Sequence, residues 1–480
     1  MRPVPESEER SLAARPPISH PRTVLLLACG AVFLAYLDTT VVNVAFPQLQ
    51  DSYPDAGVAD LSWSITAYAI LFAAWLVPAG RLSDVVGRRR QYAVSTAGFA
   101  LASGVCALAP DLLTLIVARA VQGGCAGAMI PAALAILLHE TPAERRARAL
   151  GLWGASGSLA AAAGPVAGSL LIEAVGWRSV FLVNVPLALA MAWCAVRVLS
   201  PDQPRTHRLP DLLGTAMLAA GVAALVMGLA HGETWGWADG RTLLSVLAGP
   251  VLLAAALLRS RTHRAPVVEF DLWRSRDFSL ANLIAFPTAA GMFAWLLATP
   301  LFLATVWDYS VLRTGLAITP GALAAAVAAI AVGRLRSRER QRAAISLGMA
   351  LFAANGVWLW LALSERPDFL PLWLGTGLLG GTGLGLALTG LNTTAAVAVP
   401  PIRFATGTGL HNAIRQVGGA FGVAGLAIIA TATAGGEVRA FRYIFLFTAV
   451  SGAVAALSGL AFRLPVRSGR QAETEVSAVQ

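Results

Sequence analysis

The chain has 480 residues, of which 56% are hydrophobic and 13% charged, and its mean hydropathy is +0.66. A soluble protein of this length would divide into two or three domains with polar surfaces, and this composition excludes that class. The net charge of +10 raises nucleic acid as a partner, but all 36 basic residues are Arg, and their placement has another explanation. Cys29, Cys106, Cys125 and Cys194 fall in apolar stretches with no close-spaced pair. They read as packing residues, with neither metal ligation nor a disulfide framework implied.

A charged, Pro-rich tail, Met1 to Pro21, precedes an apolar run that is too long for a signal peptide and lacks a clear cleavage site. From Val24 to Phe462, apolar runs of about 20 residues recur, each long enough to cross a bilayer. Read between charged breaks, they predict 14 helices. The first six are 23–46, 62–81, 91–109, 112–137, 149–172 and 177–198; the next two are 211–231 and 241–259. The last six are 278–306, 314–333, 343–363, 370–398, 404–433 and 441–463. The expected fold is an all-α integral membrane protein.

With the N-terminus inside, the inner loops and tails collect 28 Arg, including Arg88 to Arg90, Arg145, Arg146, Arg148 and the cluster Arg334 to Arg342. The outer loops receive six: Arg178, Arg241, Arg313, Arg366, Arg439 and Arg442. This asymmetry predicts a multi-pass protein of the plasma membrane with both termini cytoplasmic. It also removes the need for a nucleic-acid partner.

Ala79-Gly80-Arg81-Leu82 closes the second span, and Val332-Gly333-Arg334-Leu335 closes the tenth. An offset of eight makes spans 1–6 and 9–14 parallel copies, with spans 7 and 8 as an inserted central pair. The organisation expected is a cytoplasmic tail 1–22, a six-helix bundle 23–200, the inserted pair with flanking loops 201–276, a second six-helix bundle 277–464 and a tail 465–480. Two parallel six-helix bundles with a cavity between them describe a common transporter architecture.

Asp38 is the one acid of 26 that lies deep in a span. A carboxylate in hydrocarbon is costly; such residues face a water-filled cavity and mark an ion or proton path, or hide neutral at a helix contact. Arg119 lies at matching depth, each about eight residues from the outer end of its predicted span and so roughly 12 Å deep. Opposite charges there stabilise each other across a cavity, and separation lets the carboxylate bind a proton. Gln122, one turn from Arg119, adds a hydrogen bond or merely packs.

In the run Gly80 to Arg90, Gly80 permits close helix approach and Gly87 a tight turn. Asp84 caps a helix N-terminus or pairs with Arg88, a lock that breaks when two halves rock. In the fifth span, Gly154, Gly157, Gly164 and Gly168 lie near one face and admit a neighbouring backbone, while Pro165 removes a hydrogen bond and kinks the helix. Arg415 is the second deep cation and either contacts substrate or bonds carbonyls of a broken helix. His411 relays protons or makes a structural hydrogen bond. Asn43, Gln122, His411, Asn412 and Arg415 are the candidate polar lining of a substrate cavity. Trp153, Trp295, Trp358 and Trp360 are candidates for an aromatic lining, with packing or lipid contact as the alternative. The glycines from Gly380 to Gly385 lie inside an apolar span with no preceding strand, so they read as helix packing and not as a dinucleotide loop.

Gly80 through Arg90 resembles the helix 2–3 signature of the major facilitator superfamily. Leu37 to Pro47 resembles the helix 1 signature of its 14-helix drug:proton antiporter branch, and Arg119-Ala120-Val121-Gln122-Gly123-Gly124 the helix 4 signature linked to proton coupling. Gly151 through Gly168 resembles the helix 5 signature of exporters, with Ser169 a small departure where a glycine often follows. Trp63 to Tyr68 and the stretch from Trp177 to Pro186 also fit, so the resemblance spans essentially the whole chain. It implies a proton-coupled antiporter that exports lipophilic or amphipathic small molecules, such as drugs or antibiotics, by alternating access. The 80–90 loop would then hold a cytoplasmic gate shut. The implied partners are a small lipophilic substrate, protons and the bilayer, with the protein acting as a monomer. No Gly-x-x-x-x-Gly-Lys loop is present, so the proton gradient is the expected energy source, with no cofactor, metal or catalytic residue. Export of an endogenous lipid or metabolite is the close alternative. A polytopic membrane enzyme would need a cluster of acids, His or metal ligands that the short loops lack.

Overall fold

The computed structural model describes residues 21–200, 211–264, 266–335, 337–400, 403–433 and 436–463, and no strand occurs among them. The helices are α1 (Pro21–Ser52), α2 (Val58–Val86), α3 (Arg88–Leu108), α4 (Leu112–Glu140), α5 (Arg146–Val175), α6 (Ser179–Val198) and α7 (Leu212–Trp235). They continue as α8 (Gly240–Thr262), α9 (Arg276–Thr305), α10 (Val311–Gly333), α11 (Arg338–Ala362), α12 (Phe369–Val397), α13 (Phe404–Ala432) and α14 (Glu437–Leu460). Thirteen segments among the described residues are long and apolar enough to cross a membrane. The remaining helix, α5, is 30 residues long. In lipid every backbone polar group must bond internally, which is why apolar sequence of this length becomes helix.

Burial runs opposite to that of a soluble protein. Leu101, Leu108, Val327 and Leu361 are exposed, whereas Asp38, Arg119, His411 and Arg415 are buried. An apolar exterior around a polar interior fits lipid outside and function inside.

The helices pack in a pattern that repeats. Helix α1 lies on α5, α2 on α4, and α3 on both α4 and α6; likewise α9 lies on α13, α10 on α12, and α11 on both α12 and α14. Helices α7 and α8 pack on each other, and α7 leans on α2 and α13. Two seams join the halves, α2 with α13 and α5 with α10, and an offset of eight converts one into the other. Each is closed by a glycine at the end of the molecule that carries the Arg clusters, here the basic end. A Cβ on Gly80 would lie 2.4 Å from the Ala405 carbonyl oxygen, and one on Gly333 would lie 2.8 Å from that of Ala147. Ala405 and Ala147 are each the second residue of their helix, so the weak sequence repeat marks a real structural equivalence.

Helix α2 stops and α3 starts across the single residue Gly87, whose φ of 112° is the turn anticipated for it. Helix α1 runs to Ser52, six residues past its predicted end. The reading stopped it before Pro47, but a proline deletes one backbone bond, and the helix continues through it. Likewise α5 is continuous past position 165. The side chains of Asn43 and Pro165, and nearly all of both tails, lie outside the described residues.

A stability test separates two glycines one turn apart on α12. A Cβ at Gly381 would meet the Gly321 carbonyl oxygen at 1.9 Å, whereas one at Gly377 meets nothing within 4 Å. Gly381→Val is expected to lose about 1–3 kcal/mol by overpacking. The thermal unfolding midpoint of the purified protein should fall for Gly381→Val and stay near the parent's for Gly377→Val.

Candidate functional site

Three helices converge on Asp38. From α4, Arg119 Nη1 donates to Asp38 Oδ2 at 2.5 Å and to Gln122 Oε1 at 2.7 Å. Gln122 Nε2 and, from α6, Asn184 Nδ2 each donate to Asp38 Oδ1 at 2.9 Å. Asn184 also reaches Ser103 of α3 at 3.3 Å. Arg119 is fixed further by its Nε bond to the Ser64 carbonyl at 2.9 Å and by the Tyr68 ring, 4.3 Å below its guanidinium. The three donors satisfy an ionised carboxylate in a site where an unpaired one would be prohibitive.

This geometry corrects two expectations. Asp38 is 2% exposed and does not line the cavity between the halves; it touches Arg119 directly, with no water-filled gap. Gln122 adds the hydrogen bond that was one reading of it and completes the Asp38 cluster, away from the substrate cavity where it was also placed. Asn184 was missed as a ligand of Asp38. Its signal was present, a lone amide within the sixth apolar span.

The helix carrying Asp38 rests on the glycine face of α5. A Cβ on Gly164 would fall 1.9 Å from Thr40 Oγ1, one on Gly168 would fall 3.2 Å from Val41, and Gly157 looks toward Val32. Gly154 belongs elsewhere, since it faces Thr389 of α12 and Ala329 of α10. Its angular offset of about 40–80° from the other three turns it toward α10 and α12, a correction to the single-face reading.

At the basic end, Asp84 does both things foreseen for it. Its Oδ2 accepts from the Thr406 backbone nitrogen at 3.0 Å and the Thr406 hydroxyl at 2.9 Å, and its Oδ1 lies 3.4 Å from Arg88. Thr406 is in the first turn of α13, so a carboxylate from one half caps a helix of the other. Glu269, in the linker before α9, reinforces this seam. It bonds Arg81 at the end of α2 and Arg403 just before α13, the latter at 2.8 Å. The sequence reading did not find Glu269 or Thr406.

Between the halves lies a cavity of about 150 Å³, lined by Tyr36, Trp153, Trp295, Leu388, Asn392 and Arg415 among others. Drug-sized pockets are roughly 300–1,000 Å³, so the seams must part before such a molecule is admitted. Of the polar lining candidates, Arg415 is in place. His411 is buried outside the lining between Asn282 (3.0 Å) and Asn392 (3.1 Å), and Asn412 turns back to the Thr408 carbonyl at 2.9 Å. His411 makes the structural hydrogen bonds that were one reading of it, and neither residue lines the cavity, because a helix position does not reveal which neighbour a short amide or imidazole meets. Trp153 and Trp295 line the cavity, while Trp358 is exposed on the apolar exterior.

A repeated helical membrane architecture, closed at one end by two equivalent seams and holding a buried ion pair, defines a polytopic transporter-like class. Residues 28–423 match the family model described as Major Facilitator Superfamily. Multidrug resistance protein Stp of Mycobacterium tuberculosis is 32% identical over 412 residues, 85% of this chain and 75% of that protein. Puromycin resistance protein pur8 of Streptomyces alboniger is 37% identical over 415 residues, 85% of this chain and 81% of that protein. The crystal structure of the human organic anion transporter MFSD10 (TETRAN) has the same fold, with a TM-score of 0.68 and 16% identity over 93% of this chain and 100% of that one. The chain belongs to the Major Facilitator Superfamily.

The Asp38 cluster is expected to be energetically coupled. Arg119→Leu strands a buried carboxylate and should cost about 3–5 kcal/mol. Asp38→Asn, which keeps an acceptor oxygen for Arg119, should cost less. In thermal unfolding of the purified protein, adding Asp38→Asn to Arg119→Leu should recover part of the loss; simple additivity would mean the pair is not coupled.

Proposed function

We propose that this protein is a proton-coupled exporter of lipophilic or amphipathic small molecules, drugs and antibiotics among them. It works in the plasma membrane as a monomer of fourteen spans, α5 included, with the basic end and both termini cytoplasmic. The six-helix units 23–200 and 277–464 rock against each other, with the inserted pair at their edge. No cofactor or ATP is used, and no covalent bond is made or broken in the substrate. The printed names of Stp and pur8 support a resistance and efflux role.

The observation that carries the coupling is Asp38, a carboxylate in the membrane interior tied to two other helices through Arg119, Gln122 and Asn184. A proton removes its charge and weakens every one of those bonds. Helix α1 is then free to shift along the α5 glycines that seat Thr40 and Val41. Helix α5 passes the shift to its seam with α10, where Ala147 meets Gly333. In the conformation seen here that seam and the Asp84 latch are closed, so the cavity is cut off from the cytoplasm and the proton arrives from outside. Opening to the cytoplasm follows protonation; substrate binding there favours release of the proton inward. One proton moving down one pH unit yields about 1.4 kcal/mol, and down 100 mV a further 2.3 kcal/mol or so. Together these sustain a gradient of roughly 500-fold for a neutral substrate.

Two measurements test this reading. In inverted vesicles, Asp38→Asn should insert normally and abolish substrate-induced proton movement; full coupling in that variant would remove the proton role. Asp84→Ala deletes charge-assisted bonds worth about 1.5–3 kcal/mol each, and should slow turnover roughly tenfold or more while substrate still binds. Unchanged turnover would mean that Asp84 does not latch the gate.

A further inference from the structure

The cavity between the halves has an apolar wall built by Val32, Met292, Leu296, Ile318 and Leu388, interrupted by two hydrogen-bond donors that lack acceptors. Trp153 is 3% exposed, and its indole nitrogen has no partner. Arg415 is 6% exposed, and its Nε has none. Among the described residues Arg415 makes one bond, from Nη1 to Asn412 Oδ1 at 3.4 Å, beyond the ordinary range for such a contact. It has no ion pair among the described residues. Trp295, on the same wall, shows the contrast, since its indole nitrogen lies 3.2 Å from the Asn355 amide oxygen in that amide's satisfied orientation.

Buried donors are normally paired, and a buried guanidinium above all. Among the described residues no group fills the role. Asp38 has both oxygens occupied by Arg119, Gln122 and Asn184 and lies outside the cavity lining, and Asn392 Oδ1 is held by His411. An acceptor that bears negative charge relieves the isolated cation, whereas a cationic ligand would add like-charge repulsion in a poorly screened site.

We infer that Arg415 and Trp153 form an acceptor subsite, and that the substrate is an amphipathic organic anion. Its carboxylate rests on the Arg415 guanidinium and the Trp153 indole N–H, and its apolar body lies against Met292, Ile318 and Leu388. This deepens the exporter reading and rests on it for the word substrate; the binding preference stands without it.

The test is equilibrium binding to the purified full-length protein in nanodiscs, with three probes that share one apolar body. They are pyrenebutyrate, its methyl ester and the matching pyrenebutyl trimethylammonium. The carboxylate should bind at least about tenfold tighter than the ester, as a charge-assisted bond to a buried partner provides, and the ammonium should bind weakest. Arg415→Gln should bring the carboxylate down to the level of the ester and leave the ester unchanged, which also shows that the variant is folded. Arg415→Lys, a point charge without the planar fork, should keep part of the preference. Trp153→Phe should weaken the carboxylate a few-fold and spare the ester. Equal affinities for the three probes, failure of the carboxylate to bind, or a preference that survives Arg415→Gln would overturn the inference. A wild-type protein that shows the preference but moves no protons with substrate would overturn the exporter reading and leave the subsite standing. Coupled transport of the ester with no carboxylate preference would do the reverse.

Discussion

A charge held inside a membrane is the constraint around which this molecule is arranged. Asp38 exists there because Arg119, Gln122 and Asn184 supply it with three donors. Those donors come from α4 and α6, so one carboxylate fastens three helices of the first half. The glycines of α5 then have to sit where they do, because α1 can neither approach nor slide with a Cβ in the way of Thr40. Chemistry and mobility meet on the two faces of one helix.

The same economy governs the halves. Duplicated helices give duplicated seams, and in each a glycine lets one backbone press on the second residue of a helix across the interface. The two differ in their ion pairs. Asp84, Arg88, Glu269, Arg81 and Arg403 gather on the α2–α13 side, while the other seam closes on backbone contact between Gly333 and Ala147.

Much of this was legible in the sequence because lipid imposes strong rules. Run length gave the helices, Arg asymmetry gave an orientation to propose, and a lone deep acid pointed to Arg119, one of two deep bases. The depth estimate that paired them used a false end for α1, which continues to Ser52; the pairing survived because α4 sets Arg119 beside Asp38 wherever α1 ends. What stayed hidden was what the rules do not reach. Glu269 sits 188 residues from Arg81, and Thr406 sits 322 from Asp84, so no local spacing announces either contact. Uncharged amides gave only a weak signal. Asn184 and Asn392 look like many polar residues in spans, and His411 and Asn412 drew attention without belonging to the cavity. The pairing state of Arg415 was beyond reach as well, since a missing acceptor has no sequence signature.

Glu269 has a mechanical meaning. It belongs to the covalent stretch that follows the inserted helices and connects the two halves, and it grips an arginine from each. From that connecting stretch one carboxylate ties the end of α2 to the start of α13. Among the described residues the opposite seam has no such ion-paired strap, so in the rocking proposed above the tethered edge is the hinge and the widest excursion falls where α5 parts from α10.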